Sequence, residues 1–196
     1  MATPLAELTE SAPLWSWGTD LAPPRLPGAY AWFSDTVPSF ISDQALTKRD
    51  GLALLYVGIA PRASATGGRD PNRTSLAPRI RYHATGKADA SALRSTLGCV
   101  LADTLGLQLL QHPDEERFTW GAGEALLSDW IQTHLQVGWI VHSRPWEITD
   151  MAFRSLFLPL NLNVTDPTPF HRMLDKRKRH MEKSARARAG QPPTTR

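Results

Sequence analysis

The stretch "LALLYVGIA", Leu52–Ala60, predicts a buried β-strand, because it is short, apolar and bounded by turn-forming residues. A second stretch, "GAYAWF" at residues 28–33, is also strand-like, since it combines small and aromatic residues. The residues between them include Asp, Ser and Pro, so the two strands can pair as an antiparallel hairpin with a long loop. This pair is the expected centre of the sheet.

Helical periodicity dominates the chain after residue 75. Leu76, Ile80 and His83 recur at helical spacing, and Gly86 can end that helix. The remaining segments predict four more helices, a small hairpin and another strand, namely "SALRSTLGCVLADTL", "LQLLQ" with "RFTW", "GEALLSDWIQTHL", "VGWIVHS", "PWEITDMAFRSLFL" and "TPFHRMLDKRKRHMEKSARARA". This order predicts an α/β protein with a small, mostly antiparallel, three-stranded central sheet flanked by helices.

Composition indicates a cytoplasmic globular protein. The 196 residues are 41% hydrophobic and 21% charged, which is ordinary for a single folded domain. No apolar run approaches the roughly 18 residues that span a bilayer, and no secretory signal pattern is expected at the N-terminus. The single cysteine, Cys99, excludes an internal disulfide and a multi-cysteine zinc site.

The charge is distributed unevenly along the chain. From Arg172 to the end there are nine Lys or Arg and two Asp or Glu, a balance of +7, although the whole chain carries only +3. The rest of the chain is therefore mildly acidic. The basic end could contact phosphate groups, or it could be the solvated end of a helix.

Several short motifs resemble the GIY-YIG nuclease superfamily in the same order. "GAY" at residues 28–30 and "YVG" at residues 56–58 are similar to its two name-giving motifs. From Leu76, the helix carries Arg79 and then His83 in a pattern like L-x-x-R-x-x-x-H. "LPLN", ending at Asn161, resembles the closing P-x-N element, and "RIRYH" with an "LRxTLG" helix resembles an actinobacterial-type subgroup.

The resemblance also suggests how the chain is divided. Residues 1–27 are expected to be an N-terminal extension and proline-rich linker. Residues 28–171 are the expected GIY-YIG-like domain, with residues 90–136 as a helical insertion. Residues 172–196 are expected to form a basic helix and a disordered tail, and residues 61–75 a mobile polar loop.

Membership of this superfamily would imply a site for phosphodiester hydrolysis. An ionised tyrosine can act as a base, an arginine can bind phosphate through two hydrogen bonds, and the asparagine is expected to hold the first strand's tyrosine in place. The implied catalytic residues are Tyr30, Tyr56, Arg79, His83 and Asn161, with motif glycines Gly28 and Gly58. Each also has a structural interpretation, as core aromatics, a surface arginine, a helix histidine or a helix cap.

The superfamily uses one divalent metal, held by a glutamate in the helix before the asparagine. Here that position falls on Thr149, or on Asp150 at another spacing. Threonine is a poor sole ligand for Mg²⁺, whereas aspartate supplies a suitable hard oxygen. Asp150 is therefore the candidate metal ligand, and Mg²⁺ the expected cofactor.

The resemblance implies a metal-dependent endonuclease acting on nucleic acid, with DNA as the expected substrate. Thr149 or Asp150 at the metal position leaves open whether the activity is retained or degenerate. Two alternatives are a catalytically inactive binding module for nucleic acid or protein, and an enzyme acting on a small anionic substrate. No membrane partner is expected. The nucleic-acid contacts expected in the basic end are Lys176, Arg177, Lys178 and Arg179.

Overall fold

The computed structural model describes residues 2–19, 22–41, 46–60, 75–112 and 116–190. The predicted mobile loop and the last residues lie outside these ranges, except for Ser75. The strands are β1 Leu14–Trp15, β2 Gly28–Ser34, β3 Lys48–Arg49, β4 Leu52–Ala60, β5 Leu110–Gln111, β6 Phe118–Thr119 and β7 Leu135–Val141. The helices are α1 Pro4–Ala6, α2 Leu76–Thr85, α3 Ala92–Leu105, α4 Gly123–His134, α5 Pro145–Ser155 and α6 Pro169–Ala189.

The central sheet is antiparallel, and its described strands run in the order β1-β7-β2-β4-β3. The three long strands are those that the sequence predicts, so the α/β class and the antiparallel pairing are confirmed. The expected number of three strands is wrong, because β1 and β3 extend the sheet to five. Each of these two has only two residues, too few for an apolar pattern to reveal. The separate β5–β6 hairpin also follows the prediction.

A β-bulge in β4 determines which side chains before and after it lie on the same face of the sheet. Trp32 pairs with Tyr56, but the next residue of β2, Phe33, pairs with Leu54. Leu55 therefore has no partner of its own on β2, and β4 contains one extra residue at this point. Because side chains alternate along a strand, the extra residue places Leu55 and Tyr56 in the same core cluster as Tyr30.

The two faces of the sheet are covered by different elements. Tyr30 and Trp32 of β2 pack on the face that carries α2, α3 and α6. Ala31 and Phe33 alternate with them and pack on the opposite face, against α5 and the helical turn that follows α1. Both faces of β2 and β4 are buried, which explains why these strands read as nearly continuous apolar runs.

The segment expected as an insertion is joined to the core by a buried arginine. Arg94 of α3 has no exposed surface, and it donates to Glu124 of α4 at 2.7 Å and 3.2 Å. It also donates to the carbonyl oxygens of His83 at 3.4 Å and Ala84 at 3.1 Å, and to the Ser128 hydroxyl at 3.1 Å. One guanidinium thus ties the C-terminal end of α2 to α3 and α4.

The basic helix α6 is part of the packed structure. Leu174 is fully buried, and Arg177 donates to the Cys99 carbonyl oxygen at 2.8 Å while pairing with Asp103 at 2.9 Å. Farther along, Arg188 donates to the carbonyl oxygen of Leu109 at 2.7 Å. Removing α6 would therefore disrupt the core as well as removing charge.

Burial lowers the reactivity of the single cysteine. Cys99 is 1% exposed, and this burial raises the pKa of its thiol to about 12, so the thiolate is scarce at neutral pH. Over the described ranges, no helix is both long enough and apolar enough to cross a membrane.

Candidate active site

A cavity of about 650 Å³ runs along the middle of β4 and brings distant parts of the sequence together. Its wall is formed by residues 56–59 of β4, the turn between α2 and α3, one side of α5, residues 160–163 and part of α6. The predicted site residues on this wall are Tyr30, Tyr56, Gly58, Arg79 and Asn161. Two strands, the helix α2 and the "LPLN" loop thus meet at one cavity.

Close packing explains the two motif glycines. A Cβ atom on Gly58 would lie 2.5 Å from both Cζ and Oη of Tyr30, its cross-strand partner. A Cβ atom on Gly28 would lie 2.1 Å from the carbonyl oxygen of Ile140 on β7. Both distances are shorter than van der Waals contact, so neither position accommodates a side chain without movement. Gly58 leaves room for the tyrosine ring, and Gly28 lets two strands approach.

The two tyrosines lie together next to a buried histidine. The rings of Tyr30 and Tyr56 are stacked with centroids 6.5 Å apart. His83 is completely buried behind them, and its Nε2 lies 2.7 Å from the Tyr30 hydroxyl oxygen. Its Nδ1 lies 2.7 Å from the Ser91 hydroxyl oxygen. His83 therefore contacts the cavity through Tyr30, since it is not itself on the wall.

Arg79 lies one helical turn before His83 and carries an unused hydrogen-bonding edge. Its Nη1 donates to the carbonyl oxygen of Ala90 at 3.0 Å, which fixes the guanidinium beside the turn between α2 and α3. Its Nε is buried and has no hydrogen-bond partner within the described part of the chain. A buried donor without a partner is costly. The edge formed by Nε and Nη2 is suited to two parallel hydrogen bonds with an oxyanion.

Asn161 completes the free edge of β4. Its side-chain amide donates to the carbonyl oxygen of Val57 at 2.8 Å and accepts from the Val57 N–H at 3.0 Å. The neighbouring Leu160 N–H donates to the Leu55 carbonyl oxygen at 3.1 Å. The asparagine therefore holds the strand of Tyr56, not the strand of Tyr30 as the resemblance implies.

The position expected to carry a metal ligand holds a neutral side chain. Thr149 lies on the cavity wall, and its hydroxyl donates to the carbonyl oxygen of Trp146 at 2.9 Å. Asp150 is exposed and does not lie on the wall. The geometry therefore favours Thr149 over Asp150 as the residue at this place.

Two other carboxylates line the cavity, and both are engaged. Asp89 accepts from the Tyr82 hydroxyl at 2.9 Å; burial raises the pKa of Tyr82, and Asp89 adds to the effect, so this hydroxyl remains protonated. Asp175 pairs with Arg179 at 2.8 Å. The described residues include no group of three or more His, Cys, Asp or Glu that could hold a metal ion. They do not fit the Mg²⁺ site implied by the resemblance.

The four basic residues expected to bind nucleic acid differ in their surroundings. The first, Lys176, is exposed, whereas Arg177 packs α6 against α3 as described above. Lys178 pairs with Glu182 and also lines the cavity. Arg179 pairs with its neighbour Asp175. Much of the positive charge of α6 is therefore used within the protein.

Sequence reasoning missed Ser91, and it expected Lys178 in a nucleic-acid-binding tail but not on the cavity wall. Ser91 is the second residue of the segment expected to be an insertion, residues 90–136, and no local pattern connects it with His83. Lys178 belongs to a run of basic residues that predicts either phosphate contacts or a solvated helix end, and neither interpretation places it on the same cavity wall as Tyr56. Only the packing of α3 and α6 reveals the positions of these two side chains.

One comparison with known proteins gives a match. A family model described as the GIY-YIG catalytic domain matches residues 28–181. No curated protein matches the chain, and no solved structure does. The matched range begins at the first motif glycine and ends within α6, beyond the boundary expected at residue 171.

Proposed function

Because this chain belongs to the GIY-YIG catalytic domain family, we propose that it binds nucleic acid and hydrolyses phosphodiester bonds as an endonuclease. The observation that carries the proposal is that Arg79, whose Nε has no hydrogen-bond partner within the described residues, lines the same cavity as Tyr30. The family match supports the substrate class. DNA is the proposed partner, in keeping with the expectation from the sequence.

Arg79 is the proposed phosphate-binding residue. Its contact with Ala90 holds the guanidinium in one orientation and leaves Nε and Nη2 for two phosphate oxygens. Phosphodiester cleavage concentrates negative charge on these oxygens in the transition state, where a fixed cation stabilises it most. Lysine has a point charge and cannot reproduce two parallel hydrogen bonds.

Tyr30 is the proposed base for the attacking water. In its ionised form the phenol oxygen can accept a proton, and the hydrogen bond with His83 holds the ring in place. Tyr56, stacked beside it, is proposed to orient the water or the phosphate. Asn161 is proposed to act indirectly, because it holds the backbone of β4 next to Tyr56.

The family metal has no anionic ligand in this arrangement of described residues. Thr149 brings a hydroxyl that is already donating to a backbone carbonyl, and the wall carboxylates Asp89 and Asp175 are paired. The proposed roles of Arg79, Tyr30 and Tyr56 therefore do not depend on Mg²⁺, and we propose that the site is weakened at this position. Exposed Lys176, together with Arg177, Lys178 and Arg179, is proposed to add electrostatic attraction for nucleic acid.

Arg79→Lys tests the function directly. We expect nicking of supercoiled plasmid by the full chain to fall by roughly tenfold or more, because two directed hydrogen bonds to phosphate are lost. Initial rates would be measured with Mg²⁺, with Mn²⁺ and with a chelator. Arg81→Lys is the matched control, since Arg81 is exposed on the same helix and does not line the cavity. Equal losses in both variants would rule out a specific role for Arg79.

Thr149→Glu is expected to raise Mg²⁺-dependent nicking about tenfold above wild type, since it supplies the missing carboxylate on the cavity wall. Mn²⁺ binding measured by calorimetry gives a second readout that does not depend on cleavage. Asp150→Ala is the control and should match wild type. Strong wild-type nicking that disappears in Asp150→Ala would instead identify Asp150 as the ligand.

The alternatives predict other results in the same assays. Nucleic-acid binding without cleavage in every variant would favour an inactive binding module. Absence of both binding and cleavage would favour an enzyme for a small anionic substrate, with Arg79 still as its anion-binding residue.

A further inference from the structure

Ser91 connects the hydrogen-bonded pair of Tyr30 and His83 to the first turn of α3. Its side chain is 1% exposed and lies between His83 and the N-terminus of this helix. The hydroxyl oxygen is 2.7 Å from Nδ1 of His83 and accepts from the backbone N–H of Arg94 at 3.1 Å. Ser91 is thus both the N-cap of α3 and a direct partner of the histidine ring.

The hydrogens available to these groups determine their roles. The bond from Arg94 must use an oxygen lone pair of Ser91, because a backbone N–H can only donate. The Ser91 hydroxyl proton still needs an acceptor in a buried setting. Among the described residues, the acceptor within hydrogen-bonding distance is Nδ1 of His83. Neutral imidazole accepts at one nitrogen and donates from the other, so Nε2 carries the proton.

From these donor and acceptor roles, we infer that Ser91 is a positioning residue that holds His83 in the tautomer protonated on Nε2. The inference rests on the proposed function and deepens it. Nε2–H then donates to the Tyr30 oxygen across the 2.7 Å contact. The hydroxyl proton of Tyr30 must point away from His83, and it leaves into the cavity that Tyr30 lines, not onto the imidazole.

This arrangement favours the form of Tyr30 that can act as a base. A hydrogen bond donated to a phenolate oxygen stabilises the ionised form, whereas one accepted from the phenol stabilises the neutral form. His83 therefore supports an ionised Tyr30 without itself gaining charge. With the opposite tautomer, the same two side chains at the same distance would favour the neutral phenol.

The surrounding contacts keep Ser91 in register with His83. Arg94 donates its backbone N–H to Ser91 and its side-chain Nη1 to the His83 carbonyl oxygen. Glu124 holds the guanidinium at 2.7 Å and accepts the Ala88 N–H at 2.8 Å, on the turn leading to Ser91. The segment expected as an insertion thus positions the proposed base.

NMR of the imidazole nitrogens tests the tautomer. The full chain would be labelled with ¹⁵N-histidine and kept at about pH 8, where imidazole is neutral. His83→Gln assigns the signals. We expect a protonated Nε2 and an unprotonated Nδ1 in wild type. Ser91→Ala should lose this preference, Ser91→Thr should restore it, and Ser128→Ala should leave it unchanged. A proton on Nδ1 of wild-type His83 would overturn the inference.

Cleavage rates provide a second test of the role of Ser91. We expect Ser91→Ala to cut plasmid nicking by about tenfold, since a histidine in the wrong tautomer is a poor partner in hydrolysis. Ser91→Thr should recover most of the rate, because it keeps the hydroxyl. A rate in Ser91→Ala equal to wild type would contradict the role. If wild type cleaves nothing, the proposed function fails, whereas the NMR result still decides the tautomer. If Ser91→Ala does not fold, wild type and Ser91→Thr still decide it.

Discussion

Gly58→Ala is expected to reduce phosphodiester cleavage about 100-fold or more, the scale on which a proton-transfer residue contributes to catalysis. The added methyl group would lie 2.5 Å from the Tyr30 ring and hydroxyl, so the ring must move. Movement breaks the 2.7 Å contact with His83. The loss of stability should be about 1–3 kcal/mol for overpacking, which is less than the roughly 5–15 kcal/mol of a typical domain, so the protein should remain folded. Plasmid nicking and thermal unfolding measure the two effects.

Gly138→Ala is the matched control for this variant. Gly138 lies on β7 of the same sheet, and a Cβ atom there would meet the nearest atom, on the Leu14 side chain, at 3.3 Å. We expect cleavage within about threefold of wild type, because this contact is with a flexible side chain. A Gly58→Ala protein that cleaves as fast as Gly138→Ala would show that Tyr30 does not need its observed position.

Arg94→Met is expected to lower the free energy of unfolding by roughly 3–5 kcal/mol, as for other buried ion pairs that lose one partner. Methionine fills similar space but leaves Glu124 without its cation. It also leaves the carbonyl oxygens of His83 and Ala84 without these bonds. Denaturant unfolding followed by circular dichroism would measure the change.

The double variant Arg94→Met with Glu124→Gln separates charge from packing. Neutralising the partner should recover part of the loss, because an unpaired buried charge costs more than an amide. The coupling between the two changes is the quantity of interest. If the single and double variants lose the same stability, the pair is held mainly by its backbone contacts.

Local patterns were sufficient to predict the long elements. β2, β4, β7 and the five longer helices follow apolar periodicity and capping residues, which are local properties of the chain. The edge strands β1 and β3 escape such patterns because each is defined by its partner strand. Their pairing depends on residues far away in the sequence.

The site residues also divide into those that local patterns predict and those that depend on distant contacts. The spacing of Arg79 and His83 on one helix predicts that they lie on one side, and the structure places them next to the tyrosines. Ser91 could not be predicted in the same way, since its contact with His83 depends on the turn between α2 and α3. The choice between Thr149 and Asp150 depends on the rotation of α5, which packing against β2 and β4 determines.

The bulge at Leu55 also determines what a one-residue change in the length of β4 would do. Deleting Leu55 would make Leu54 and Tyr56 consecutive, so that they lie opposite Phe33 and Trp32 in a regular ladder with their present partners. Inserting a further residue before Tyr56 would instead shift the alternation and move Leu54 away from its present face. A related sequence that is one residue shorter in this stretch can therefore keep both tyrosine motifs on the same face of the sheet.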